Sequence, residues 1–406
     1  ESGVLTRGNI RTISINLGIS MSAIRSISMH FKPLARAGVL ALAAASLSGY
    51  AAEPLIVGVQ APITGQYANE GQGISDAVKL LVKQQNAKGG LLGQMLEVKT
   101  CDDQGEAAPA AICARQLIND GAFAIIGSYT SGAALAAQPL YARANVIQTS
   151  DGTSDELTAK GFKTFFRNAP PNSSEAIFTA KYFKAKGYQK VAIVTDHSSF
   201  ATGLAGAVAS EVKKAGGQVL ETAFIDAGSQ NYTPVLTKLK GLNPQVIYFS
   251  GYYNDGGLIK AQMAQLGINA PFVGGDANQN VAFAKIAGKA GTGATIINVP
   301  APTDLPYPAA KQFLTEFQQA YGHVPPSIFT LTNADGLRAI IATAERIKSV
   351  KPDTLIPALH QLKDFQGLTG EFSWDAKGER IGSPFVAFDI TADGGYKIVY
   401  PPSAVK

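Results

Sequence analysis

The sequence is poor in the residues that do covalent or metal chemistry. Two cysteines, Cys101 and Cys113, one tryptophan and four histidines occur in 406 residues. His197, His323 and His360 lie in the main part of the chain. None of them neighbours a cysteine or forms an i, i+4 pair, so neither a zinc site nor a Cys–His nucleophile is signalled. No Gly-Lys-Ser/Thr loop is present to cradle phosphate, and Gly203–Gly206 is too short for a dinucleotide fingerprint. Asp102-Asp103 follows a strand and reads as a turn before it reads as a catalytic pair. The expectation is a protein that is not an enzyme and that needs no metal or cofactor.

Charge of one sign is scarce as well. The net charge of +5 arises mostly in Glu1–Ala52, which holds five Lys/Arg and a single acidic residue. Beyond it 30 basic residues face 29 acidic ones, with no basic stripe, so no nucleic-acid partner is expected. Within that leading part, residues 1–28 lack the periodicity of a packed element and are expected to be an upstream or non-native extension. Residues 29–52 read as a signal peptide. Met29 opens a basic stretch with Lys32 and Arg36, Ala37–Leu47 is apolar, and small residues precede a cleavage point after Ala51 or Ala52. About eleven apolar residues fall short of the roughly 20 that span a bilayer, so export to the periplasm is expected rather than anchoring. An oxidising compartment permits Cys101 and Cys113 to pair; the alternative is two buried thiols.

What the chain has in quantity is strand–helix alternation. In Ala122–Thr158 two such units follow one another. Ala122–Ile126 is an apolar strand ending at Gly127, and Ser128–Gly132 leads into an Ala-rich helix. Val146–Thr149 is the next strand, and Ser150–Glu156 leads into another helix. Hydroxyl-rich loops where strands end and helices begin offer free N–H groups and the positive end of a helix dipole, which suits a small anionic group such as a carboxylate. Alternation begins at Leu55–Val59 and breaks at Pro170-Pro171. It resumes through Val246–Phe249 and Phe272-Val273, and breaks again at Val299–Pro302. Three helices and two late strands, near Ser383–Ile390 and Lys397–Tyr400, follow. About 350 residues in two such series predict an α/β protein of two doubly wound parallel-sheet lobes. The final helices lack strands of their own, so the chain must pass between lobes more than once, leaving a cleft that closes on a ligand.

Several marks stand in order along Glu53–Lys406. They are Val57-Gly-Val59, Gly65-Gln-Tyr67, Asn86-Ala-Lys-Gly-Gly90, Asp102-Asp103 and Ile126-Gly127 with Ser131. Glu156-Leu-Thr158, Ser250-Gly-Tyr252, Gly274-Gly-Asp276 and Ser373-Trp-Asp-Ala-Lys-Gly378 follow. Together they resemble a type I periplasmic solute-binding protein, close to the leucine/isoleucine/valine-binding proteins of bacterial ABC importers. The resemblance implies a three-segment hinge near Ala169–Pro171, Asn298–Ala301 and Gly370–Asp375. Lobe I would comprise 53–170 and 301–371, and lobe II 171–300 and 372–406. It further implies a monomer that captures an amino acid, branched-chain by the family's pattern, and delivers it to a permease/ATPase membrane complex. A sensory or regulatory receptor of the same fold, recognising a small amide or polar amino acid, is the alternative.

Residue by residue, the resemblance implies that Ser131 and Thr153 take the ligand's carboxylate and Asp276 its ammonium. Tyr67, Phe200, Tyr252 and Phe329 would form the wall. Asp151 stands where the branched-chain binders have a small residue. Its carboxylate either enters the cleft and selects a further donor, or it is solvated or caps the next helix. Each assignment has a plainer rival: Ser131 as a helix cap, Asp276 as a turn former, Phe200 and Phe329 as core residues.

Overall fold

The computed structural model describes residues 53–382 and 384–404. The expected extension and signal peptide, residues 1–52, lie outside them. Two βα series are present. The first runs β1 (Leu55–Ala61), α1 (Ala68–Ala87), β2 (Leu96–Asp102), α2 (Ala107–Asn119), β3 (Ala122–Ile126), α3 (Ser131–Arg143), β4 (Ile147–Ser150), the single turn α4 (Glu156–Ala159) and β5 (Phe165–Arg167). Its five strands are parallel, in the order β2-β1-β3-β4-β5. Helices cover both faces, which is why β3 and β4 are buried almost throughout. β3 stops where only glycine fits: Gly127 has φ +121°, and a Cβ there would meet the Gln60 carbonyl oxygen at 1.8 Å. Cys101 and Cys113 are joined in a disulfide that ties β2 to α2.

The second series runs α5 (Asn172–Lys186), β6 (Lys190–Thr195), α6 (Ser199–Lys214), β7 (Gln218–Phe224), α7 (Thr233–Gly241), β8 (Val246–Ser250), α8 (Tyr253–Gln265), β9 (Phe272–Gly274), α9 (Val281–Ala287) and β10 (Thr295–Asn298). The chain then returns to the first lobe with α10 (Pro308–Tyr321), α11 (Phe329–Ile347) and α12 (Pro352–Leu359). α11 packs on α1 and on β3 and β4, so these late helices cover a sheet already built. A small antiparallel sheet follows, made of β11 (Phe365–Gly367), β12 (Gly370–Trp374) and β13 (Arg380–Ile381). β14 (Val386–Ile390) and β15 (Tyr396–Tyr400) complete the second sheet, ordered β15-β14-β10-β9-β8-β6-β7.

The two doubly wound lobes are present as expected, and the second sheet adds two edge strands, β14 antiparallel to β10 and β15 antiparallel to β14. The hinge needs correction. The third passage between lobes lies after β13, not at Gly370–Asp375, so the boundary at 371/372 falls ten residues early. The reason is packing. Trp374 is fully buried and its indole N–H donates to the Arg167 carbonyl at 2.7 Å. Gly378 accepts from the Arg167 N–H at 2.8 Å, and Trp374 N–H donates to Leu362. These bonds hold residues 372–381 on the first lobe.

Candidate functional site

In open α/β sheets the crevice outside the carboxyl ends of the strands is where ligands bind. Here two such edges face each other. The loops after β1, β3 and β4 bring Tyr67, Tyr129, Ser131, Asp151 and Thr153; those after β6, β8 and β9 bring Phe200, Tyr252 and Asp276. Phe329 arrives from the first turn of α11. Tyr129, Ser131, Asp151, Thr153, Phe200, Tyr252, Asp276, Ala277 and Phe329 line one small cavity. Seven of the eight residues expected at the site are thus brought together. Tyr67 is the exception. It stands one layer out, its ring 4.5 Å from that of Tyr252, and lines the mouth of the cleft instead.

On the first-lobe face the loops are held by side-chain hydrogen bonds. Thr130, not Ser131, caps α3, its Oγ1 accepting from the Ala133 N–H at 3.3 Å. That removes the plain-cap reading of Ser131, whose Oγ accepts instead from the Ser154 N–H at 3.1 Å. Ser150 Oγ donates to the Ser128 carbonyl at 2.7 Å and accepts from the Gly152 N–H at 3.0 Å. Arg167, fully buried, donates to the carbonyls of Gly152 and Ser154 and pairs with Glu379 at 2.6 Å. The Thr153 loop is therefore pinned from behind, and the Thr153 hydroxyl has no partner among the described residues.

Asp151 is neither solvated nor a helix cap. It is buried, its Oδ1 accepting from the Thr332 hydroxyl at 2.8 Å and its Oδ2 from the Asn333 amide. Burial pushes its carboxyl well above the usual range, against the Thr332 hydrogen bond; the negative charge of Glu70 adds to the rise and the guanidinium of Arg380 opposes it.

The second-lobe face is acidic. Asp276 opens a single 3-10 turn, Asp276–Asn278, and its Oδ1 accepts from the Ala277 N–H at 2.7 Å. Its own N–H donates to Glu175 Oε1 at 3.2 Å, to which Tyr248 also donates at 3.1 Å. Glu175 Oε2 is buried with no partner among the described residues. Burial raises the Asp276 carboxyl to about 7. Burial first and the adjacent Asp276 second push Glu175 well up.

The same segment grips the first lobe further on. Asn280 Oδ1 caps α9 through the Ala282 N–H and accepts from Asn69 Nδ2, both at 2.8 Å. Its Nδ2 donates to Glu70 Oε1 at 2.6 Å, while the Ser327 hydroxyl takes Glu70 Oε2 at 2.7 Å. Glu70 is fully buried, and burial raises its carboxyl to about 7 despite those two bonds.

Sequence reasoning missed Tyr129, Glu175 and Glu70. Tyr129 lay inside a loop already singled out for its hydroxyls, so the signal was there. Glu175 and Glu70 sit on helices among polar neighbours, and only closure of the fold buries them. Among the described residues no group of three or more His, Cys, Asp or Glu is placed to hold a metal ion, and no helix is long and apolar enough to cross a membrane.

A family model described as periplasmic binding protein matches residues 54–395. The chain is 28% identical to a Leu/Ile/Val-binding protein homolog 2 of Brucella abortus over 87% of its own length and 94% of the relative's. It is also 28% identical to the Leu/Ile/Val-binding protein of Escherichia coli, covering 88% and 96%. A crystal structure of the branched-chain amino acid transporter substrate-binding protein LivJ of Streptococcus pneumoniae, in complex with isoleucine, superposes with a TM-score of 0.77 at 28% identity. That match covers 86% of this chain and all of LivJ.

Proposed function

Because the chain belongs to the periplasmic binding protein family, we propose that it is the substrate-binding component of an ABC-type amino-acid importer, closing its two lobes over an amino acid. The observation that carries this reading is the pairing of unlike faces across one cavity: hydroxyls and a pinned loop on one lobe, a buried carboxylate on the other. In this reading Ser131 and Thr153 take the ligand's carboxylate. Asp276 takes its ammonium, which supplies the counter-charge the second-lobe face otherwise lacks. Phe200, Tyr252 and Phe329 enclose the side chain, burial of which contributes roughly 1.5–3 kcal/mol. The names of the relatives support leucine, isoleucine and valine as the ligands to try first. Delivery from the periplasm, as a monomer, to a permease/ATPase membrane complex belongs to the same reading.

A second reading is favoured by Asp151, a carboxylate on the cavity wall where an aliphatic side chain has no use for one. It is a receptor of the same fold for a small amide or a polar amino acid. Differential scanning fluorimetry against all amino acids, small amides and sugars tests both, since a ligand of the folded form raises the melting point by mass action. Shifts with sugars and none with amino acids or amides would sink both readings.

A further inference from the structure

We propose that Tyr129 is a specificity-determining residue, and that it turns the cavity toward an amino acid bearing a carboxamide side chain in preference to a branched aliphatic one. This rests on the amino-acid reading above and narrows it. Tyr129 follows β3, its ring lines the cavity, and it is 4% exposed. The ring packs edge-on against Phe329 at 5.5 Å and tilts against Tyr252 at 5.8 Å. Packing of that kind is served equally well by phenylalanine. The hydroxyl adds something else: it is buried and has no hydrogen-bond partner among the described residues.

Three other buried tyrosines are treated differently. The Tyr141 hydroxyl donates to Gln60 at 2.6 Å, that of Tyr232 to Asp255 at 2.6 Å and that of Tyr248 to Glu175 at 3.1 Å. Most buried polar side-chain atoms in folded proteins are paired, so an orphan on a cavity wall marks a group whose partner comes with the ligand. Asp151 supplies a second polar point on the same wall. Its oxygens each take one donor, from Thr332 and Asn333, and each retains acceptor capacity. A primary amide has a donor for a carboxylate and an acceptor for a phenol in one planar group. A leucine side chain, nearly isosteric with asparagine, would leave both wall groups unpaired, and sites built for hydrogen bonds discriminate strongly against such analogues.

The test is Tyr129→Phe, read in two arms. In the first, the ligand-free variant is melted beside the parent; removing a buried unpaired hydroxyl should raise the midpoint by roughly 1–3 °C. In the second, calorimetric titration with L-asparagine, L-glutamine and L-leucine follows both proteins. The parent should bind an amide better than leucine, and the variant should lose about tenfold to a hundredfold for the amide while leucine holds or gains. A lower midpoint together with an unchanged ranking would mean that a water already satisfies the hydroxyl, and would overturn the inference. Leucine bound best by the parent, with the same ranking in the variant, also overturns it while leaving the amino-acid reading intact. Binding of none of the three, and no thermal shift with any other amino acid, would remove both.

Discussion

The two faces of the cleft are built on opposite terms. On the first lobe, every loop that meets the cavity is tied down before a ligand arrives: Ser150 to Ser128, Ser131 to Ser154, and Arg167 to the carbonyls of Gly152 and Ser154. On the second, Asp276 and Glu175 are buried against each other, and one Glu175 oxygen has no partner. One face is held by its own bonds; the other buries two carboxyl groups with no cation beside them among the described residues. Under the proposed function, the first lobe would offer a ready-made surface, whereas the second would gain most from a ligand's positive group.

Breaking the acidic side should have the largest effect. Asp276→Ala leaves a buried ammonium unpaired, and is expected to cost about 3–5 kcal/mol of affinity, a factor of several hundred or more in Kd. Calorimetry with the tightest amino acid checks it, and a loss under tenfold would show that Asp276 does not hold the ammonium.

Breaking the rigid side should be felt in stability before affinity. Arg167→Met strands two loop carbonyls and Glu379, and is expected to lower unfolding free energy by about 3 kcal/mol. Urea unfolding of the ligand-free protein measures it, and an unchanged midpoint would mean that the loop holds its shape unaided.

The comparison sharpens with pH. Asp276 and Glu70 both have folded-state values raised to about 7, chiefly by burial, from ordinary values near 4. The folded state therefore binds more protons than the unfolded one. Stability from these groups is full at low pH and is lost as pH climbs from about 4 through about 7. Thermal melts of free protein between pH 5 and pH 8 should show it, and saturation with an amino acid should flatten the curve. A midpoint that rises over this range would contradict the assignment.

The smallest effect belongs to Ser131→Ala. It removes the acceptor for the Ser154 N–H and one hydroxyl from the carboxylate side, at about 1 kcal/mol of affinity. Because Thr130 is the cap, helix α3 itself should be unharmed, so thermal stability that falls as much as affinity would reassign Ser131 to structure.

Much of this was legible in the sequence, for identifiable reasons. Ala122–Ile126 is an apolar run that breaks into hydroxyls and Val146–Thr149 turns from apolar to polar within the strand, and that switch is the strand-to-cleft transition itself. Gly274-Gly-Asp276 carried the same signal on the other lobe. The small β11–β13 sheet was not legible, since strands of two to five residues leave no two-residue period to read. The third crossing was misplaced because the bond from Trp374 to Arg167 joins residues more than 200 positions apart. The environment of Asp151 was left open for the same reason: Thr332 and Asn333 reach it from α11, far along the chain.

The segment from Asp276 to Asn280 deserves a kinetic reading. Its first residue lines the cavity, and its last is clasped by Asn69 and Glu70 of the opposite lobe. Opening the cleft must release Asn280 whether or not anything is bound at Asp276. Under the proposed function, the time a captured molecule stays inside would be governed in part by an amide it never touches. Asn280→Ala should hasten escape about tenfold while the rate of arrival holds, a split that stopped-flow fluorescence resolves and that equal changes in both rates would refute. Dwell time and recognition would thus sit at the two ends of one five-residue stretch, adjustable separately.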